Sequence, residues 1–147
     1  MNLPVDPDLD PARLQCAVHE LGHLTVWEAL PGVRVKGVWV KGHGLNRVHG
    51  CVDVAFPDNS PELDRGYLVG VLAGREADRI FCDLSDARHD PRTCSYDMTN
   101  FRRTRRRHKP SRRWSEAELA REAPTIIRAN WTTILRRATQ LTRRGRL

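Results

Sequence analysis

The sequence predicts a mainly α domain with one small β-hairpin, an α+β fold of about four helices. Three observations lead there. Residues 10–29 carry an apolar stripe at helical spacing, formed by Leu14, Ala17, Val18, Leu21 and Leu24. Two short alternating runs, residues 33–40 and 51–56, flank a connection rich in Gly and His. From Ser60 onward the chain returns to helical periodicity in several stretches. A chain of 147 residues suits a single domain with its own core.

The first helix opens at Asp10-Pro11. Asp10 is the N-cap, and Pro11 takes the first helical position, where its missing N–H loses nothing. The helix ends near Ala29, ahead of Leu30-Pro31-Gly32. Residues 33–40 alternate as a half-buried strand, 41–50 form a loop holding His43 and His49, and 51–56 pair back antiparallel. Ser60 with Pro61 starts a second helix that runs to about Phe81. Gly66, Gly70 and Gly74 recur along one face of it. Such a stripe permits close helix packing, although each glycine costs about 1 kcal/mol relative to alanine. Residues 82–94 read as irregular, and a third helix begins near Ser95 and enters the arginine run 102–107. Ser115-Glu116-Ala117-Glu118 is a capping box for a fourth helix, which Pro124 kinks or splits. Ile126, Ile127, Trp131, Ile134, Leu135 and Ala138 supply its apolar face.

The chemistry lies on the first helix. His19-Glu20-Leu21-Gly22-His23 reads H-E-x-x-H. Four residues make about one helical turn, so both imidazoles face one way and can reach one metal ion. Glu20 is placed to hold a water and take its proton. A catalytic zinc takes three protein ligands and leaves one position for water. By residue type the third ligand is one of Asp53, Asp64, Glu76, Asp78, Asp83, Asp86, Asp90 or Asp97, and spacing does not choose among them. Cys16, Cys51, Cys82 and Cys94 form no C-x-x-C pair and read as reduced thiols. Cys94 lies three residues before Asp97, which leaves a thiolate near the metal as a minor alternative. His43 and His49 read as solvated loop residues, not ligands.

Charge is unevenly spread. Residues 1–100 hold ten Lys/Arg against fifteen Asp/Glu, and residues 101–147 hold fifteen against three, within a net charge of +7. Glu116, Glu118 and Glu122 cannot neutralise that basic helical part. It therefore stays solvated or meets an acidic protein or nucleic acid, with Trp114 and Trp131 available for stacking. No nucleic-acid recognition motif is visible, so nucleic acid is the less favoured partner. No apolar run has transmembrane length, and the acidic, Pro-containing N-terminus is no signal peptide. A cytoplasmic protein without a membrane part is expected.

Taken together, residues 11–142 resemble the peptidase domain of the FtsH-type AAA proteases, a helical zincin. The H-E-x-G-H of that family is matched by His19-Glu20-Leu21-Gly22-His23. Its short strand pair is matched by residues 33–56, and its G-R-x-A-E signature by Gly74-Arg75-Glu76-Ala77-Asp78, with Asp in place of the last Glu. Its later small-residue-plus-Asp pattern is matched by Ser95-Tyr96-Asp97. The resemblance implies that His19, His23 and Asp97 bind Zn2+ and that Glu20 is the general base of a zinc metalloendopeptidase. Glu76 and Asp78 would then orient ligands or helix contacts. The 147 residues contain no G-x-x-x-x-G-K-[ST] phosphate loop and no membrane anchor. The expected substrates are thus flexible or already unfolded polypeptides, with room for a separate ATPase as partner. The family's hexameric rings also use the ATPase module, so the resemblance leaves the oligomeric state open. A second reading is a non-enzymatic metal-containing binding module whose basic C-terminal half contacts nucleic acid or an acidic protein. Glu20 weighs against it, because a purely structural site needs ligands but no base.

Overall fold

A computed structural model describes residues 6–57, 60–85 and 95–147. It is mainly helical with one two-stranded antiparallel sheet. The order is α1 (Pro11–Trp27), β1 (Arg34–Lys41), β2 (His49–Ala55), α2 (Pro61–Ser85), α3 (Ser95–Arg105), α4 (Glu116–Ala129) and α5 (Trp131–Arg144). Among the described residues no helix is long and apolar enough to cross a membrane.

Local chemistry sets the ends of the elements. Asp10 accepts from the N–H groups of Ala12 and Arg13 at 2.9 and 3.2 Å and so caps α1. Ser60 Oγ accepts from Leu63 N–H at 3.2 Å at the start of α2. The capping box of α4 is complete: Ser115 Oγ accepts from Glu118 N–H at 3.1 Å, and Glu118 Oε2 accepts from Ser115 N–H at 2.9 Å. The apolar stripe of α1 is wholly buried and forms the centre of the core. α2 lies along α1, α4 packs on α2, α5 packs on α1, and the hairpin lies across α1.

Four sequence expectations are corrected. Residues 82–85 belong to α2, which runs to Ser85. His49 belongs to β2 rather than to the loop, where it pairs with Lys41. Helix α4 continues through Pro124, and the break falls at Asn130, giving five helices among the described residues. There the Asn130 side chain donates to Ile126 O at 2.8 Å and ends α4. The basic half is also paired differently from a count within its own stretch of sequence. Glu116 and Glu122 face Arg75 and Arg65 of α2, while Arg137 meets Glu28 at 2.7 Å and Arg143 meets Asp6 at 2.6 Å. Helices α4 and α5 pack across α1 and α2, so ion pairs cross between the halves. Arg102, Arg103, Arg106, Lys109 and Arg112 remain exposed.

The sheet is completed from far along the chain. Gly145 ends α5 in the left-handed conformation, with φ 77°. The last residues then run beside β1. Val40 N–H donates to Gly145 O at 2.9 Å, and Val38 and Leu147 exchange bonds of 3.1 and 2.9 Å. β1 is therefore flanked on both sides, and β2 is the edge strand.

Candidate metal centre

One row of α1, four residues apart at each step, builds the centre: Gln15, His19, His23 and Trp27. His19 and His23 are 7% and 3% exposed. Imidazoles so deeply buried need room between helices, and the glycine stripe of α2 provides it. A Cβ on Gly74 would lie 2.3 Å from His23 Cε1, one on Gly70 would lie 2.0 Å from Trp27 Nε1, and one on Gly66 would lie 2.5 Å from Leu30 Cδ2. Each glycine receives one side chain of α1 or of the turn after it. Gly22, inside the motif, is the counterpart on α1: its Cβ would stand 2.6 Å from the Ala73 carbonyl oxygen.

This packing orients His23. Its ring stacks on Trp27 at 5.0 Å and 7°, and Trp27 stacks in turn on Tyr67 at 5.5 Å and 2°. His23 Nδ1–H donates to the Gly70 carbonyl at 2.8 Å, which leaves a lone pair on Nε2. His19 Nδ1 is buried 3.8 Å from Asp78 Oδ2, beyond hydrogen-bond length but well within reach of the carboxylate's charge. Gln15 holds the other oxygen of Asp78 with a 3.1 Å hydrogen bond. Carboxylates behind ligand histidines fix which ring nitrogen keeps its proton. His19 Nε2 is left facing the site.

Asp97, in the first turn of α3, closes the group. Its Oδ2 lies 2.9 Å from His19 Nε2 and 3.3 Å from His23 Nε2, and the two nitrogens are 3.0 Å apart. Two imidazole nitrogens and a carboxylate oxygen at such distances need positive charge between them, from a proton or from a metal ion. Three ligands on a tetrahedral ion with bonds of about 2.0–2.1 Å stand roughly 3.3 Å apart, close to this triangle. The group His19, His23 and Asp97 can hold a metal ion. The buried acids and imidazoles also bias one another's charge. Burial resists charging of His19, yet the Asp78 and Asp97 carboxylates hold it well above the ordinary histidine range. Burial likewise resists ionisation of Asp97, but the neighbouring His19 and His23 imidazoles hold its carboxyl well below the usual range.

Glu20 lies on the neighbouring row of α1, after Cys16. It is 8% exposed and tucked under β2, where a Cβ on Gly50 would sit 2.8 Å from its Oε1 and 2.9 Å from Cys16 Sγ. Burial raises its carboxyl, against the pull of His23 and His19. Burial and the Glu20 charge push the Cys16 thiol up to about 12, so it is an inert part of the wall. His19, Glu20, Asp78 and Asp97 all line one open cleft of about 450 Å³, between α1, the start of β2 and the start of α3.

No family model matches the chain, and no curated protein does. The site therefore rests on its own geometry.

That geometry gathers His19, His23, Asp97, Glu20 and Asp78. It does not gather Glu76, whose carboxylate is taken by Arg79 on the same helix. Asp64 pairs with His108 at 2.9 Å, away from the histidines. His43 is an exposed side chain 3.8 Å from Asp10. Cys94, Asp86 and Asp90 lie outside the described residues. Sequence reading missed Gln15 and Trp27, although both continue the histidine row and the four-residue spacing was there to find them. It also missed Gly50, whose role depends on a strand crossing a helix.

Gly74→Ala tests the seam directly. The added methyl would overlap the His23 ring. Overpacking of this kind costs about 1–3 kcal/mol. Gly74→Ala should lower the thermal midpoint and weaken metal binding together, read by melting curves with and without metal. A variant equal to wild type in both would show that α1 and α2 can part without consequence.

Proposed function

We propose that this protein is a zinc-dependent metallopeptidase with the helical zincin fold of the FtsH-type peptidase domain. The observation that carries this reading is the convergence of His19 Nε2, His23 Nε2 and Asp97 Oδ2 beside Glu20 in an open cleft. Two imidazole nitrogens and one carboxylate oxygen suit Zn2+ and leave one position free. Bound there, zinc would supply Lewis acidity and make water a nucleophile near neutral pH. His19, His23 and Asp97 would hold it, with Asp78 steadying His19 from behind. Glu20 takes the proton of the attacking water and returns it to the leaving amine. Its burial favours the protonated form, which suits a group that must hold a proton between two steps. β2, as the edge strand, gives an extended peptide a backbone to align on.

Flexible or already unfolded polypeptides are the substrates this arrangement favours, in the cytoplasm and with any unfolding done by a separate ATPase. Purified protein should carry about one zinc per chain. A chelator should stop cleavage of an unstructured protein, and added zinc should restore it. Cleavage that survives complete removal of metal would sink the proposal.

A further inference from the structure

We propose that Leu45 and Tyr96 form the two jaws of a subsite that grips an apolar side chain of an extended polypeptide at the mouth of the metal cleft. The inference rests on the peptidase reading above and names the substrate feature it selects. Among the described residues, Leu45 and Tyr96 are the large hydrophobic side chains left exposed, at 81% and 75%. Both line the cleft that holds His19, Glu20 and Asp97. Exposed apolar surface gathered at one place marks a binding site, whereas scattered single residues carry no such message.

The exposure of Leu45 is built into its loop. Three left-handed residues, Gly42, Gly44 and Asn46, have φ of 87°, 83° and 63° and fold the connection between β1 and β2 tightly. A Cβ at Gly42 would lie 2.0 Å from the Arg47 carbonyl oxygen. The turn is pinned to the start of α1: Asp10 Oδ2 accepts from Gly44 N–H at 2.8 Å, and Arg13 Nη1 donates to Gly42 O at 2.9 Å. Leu45 stands between Gly44 and Asn46, where it adds nothing to the core. Tyr96 directly precedes Asp97, so the turn that presents the third ligand also sets the second jaw. Both jaws are thus fixed relative to the metal group.

The lining between them defines the occupant. Ala12 and Val48 add apolar wall near the rim, and Glu20, Asp78 and Asp97 make the floor acidic. An acidic side chain would be repelled, and an apolar one covers surface that now faces water. Because the cleft is open and bounded by an edge strand, the side chain belongs to a chain segment that continues past both ends.

Two fluorogenic peptides that differ only in one residue, Leu against Ser, beside the cleaved bond would test this. Wild type and the Leu45→Ser/Tyr96→Ser double variant would be compared with each. Wild type should prefer the Leu peptide by about 10–100-fold in kcat/KM. The double variant should lose most of that preference, mainly through KM, with unchanged zinc content and circular dichroism. Equal kcat/KM for both peptides in wild type, or an undiminished preference in the double variant, would overturn the proposal. Binding of the same peptides to zinc-loaded Glu20→Gln separates this inference from the peptidase reading. Discrimination in binding without cleavage by wild type would keep the jaws and remove the peptidase. Absence of discrimination in binding would overturn the jaws. A concentration-dependent dimer abolished by Leu45→Ser would assign the patch to a second copy of the chain and overturn it equally.

Discussion

Glu20→Gln should keep a full complement of zinc and lose cleavage by about 10²–10⁴-fold, the usual contribution of a general base. The side chain is not one of the three converging ligand groups, so the metal has no reason to leave. Gln keeps the size of Glu and fits the same space under Gly50. It also removes a buried carboxylate whose charge burial disfavours. The folded protein should therefore be at least as stable, and the loss should appear in kcat. Metal analysis, thermal melting and steady-state kinetics on one preparation would check all three. A fully active Glu20→Gln protein would remove Glu20 from the chemistry. Loss of metal together with activity would make it a ligand instead.

His19→Ala and His23→Ala should each reduce zinc content to near zero after dialysis. Loss of an outer partner such as Asp78 typically costs about 10–100-fold in metal affinity. Loss of a direct ligand should exceed that. The two variants should differ in stability. His23→Ala empties a space between Trp27 and Gly74, and core truncations of this size cost about 2–5 kcal/mol. His19→Ala removes the imidazole that stands 2.9 Å from Asp97 and 3.8 Å from Asp78, so the two carboxylates lose the group that separates and neutralises them. His43→Ala, at an exposed loop position, should retain full zinc. Metal titration would read each case. Wild-type affinity in either His19→Ala or His23→Ala would mean that the ion binds elsewhere.

The elements that were legible in the sequence are those written in local chemistry. Asp10-Pro11 at the start of α1 and the Ser115–Glu118 box need only neighbours within a turn, and both have the expected hydrogen bonds. The glycine stripe announced a close helix contact but not its partners, because His23, Trp27 and Leu30 come from a different element. Pro124 was a misleading cue. A proline removes one N–H donor, and that loss is bearable in a helix that buries Leu119, Ala123 and Ile127 around it. At the site, the four-residue spacing gave both histidines. The third member of the group could not be read from spacing, since eight acids were equivalent until α3 brought Asp97 to 2.9 Å from His19. Counting charges by stretches of sequence hid the pairing of Arg137 with Glu28 for the same reason.

The pairing of the last residues with β1 bears on the order in which the molecule assembles. Arg13 Nε donates to the Thr142 carbonyl across 129 residues of sequence, and Val38 meets Leu147 at nearly as great a separation. Contacts this distant in sequence close late, since the entropy of a long loop must be overcome before they return any energy. The α1–α2 seam and the β1–β2 hairpin are far more local and can form first. Both histidines would then be in place early, while the strand pair that roofs Glu20 keeps one side of β1 unzipped until α5 docks. A nascent or truncated chain would hold the two histidines of α1 with the sheet beside them unfinished, and the C-terminal segment would lock a hairpin that already lies over Glu20.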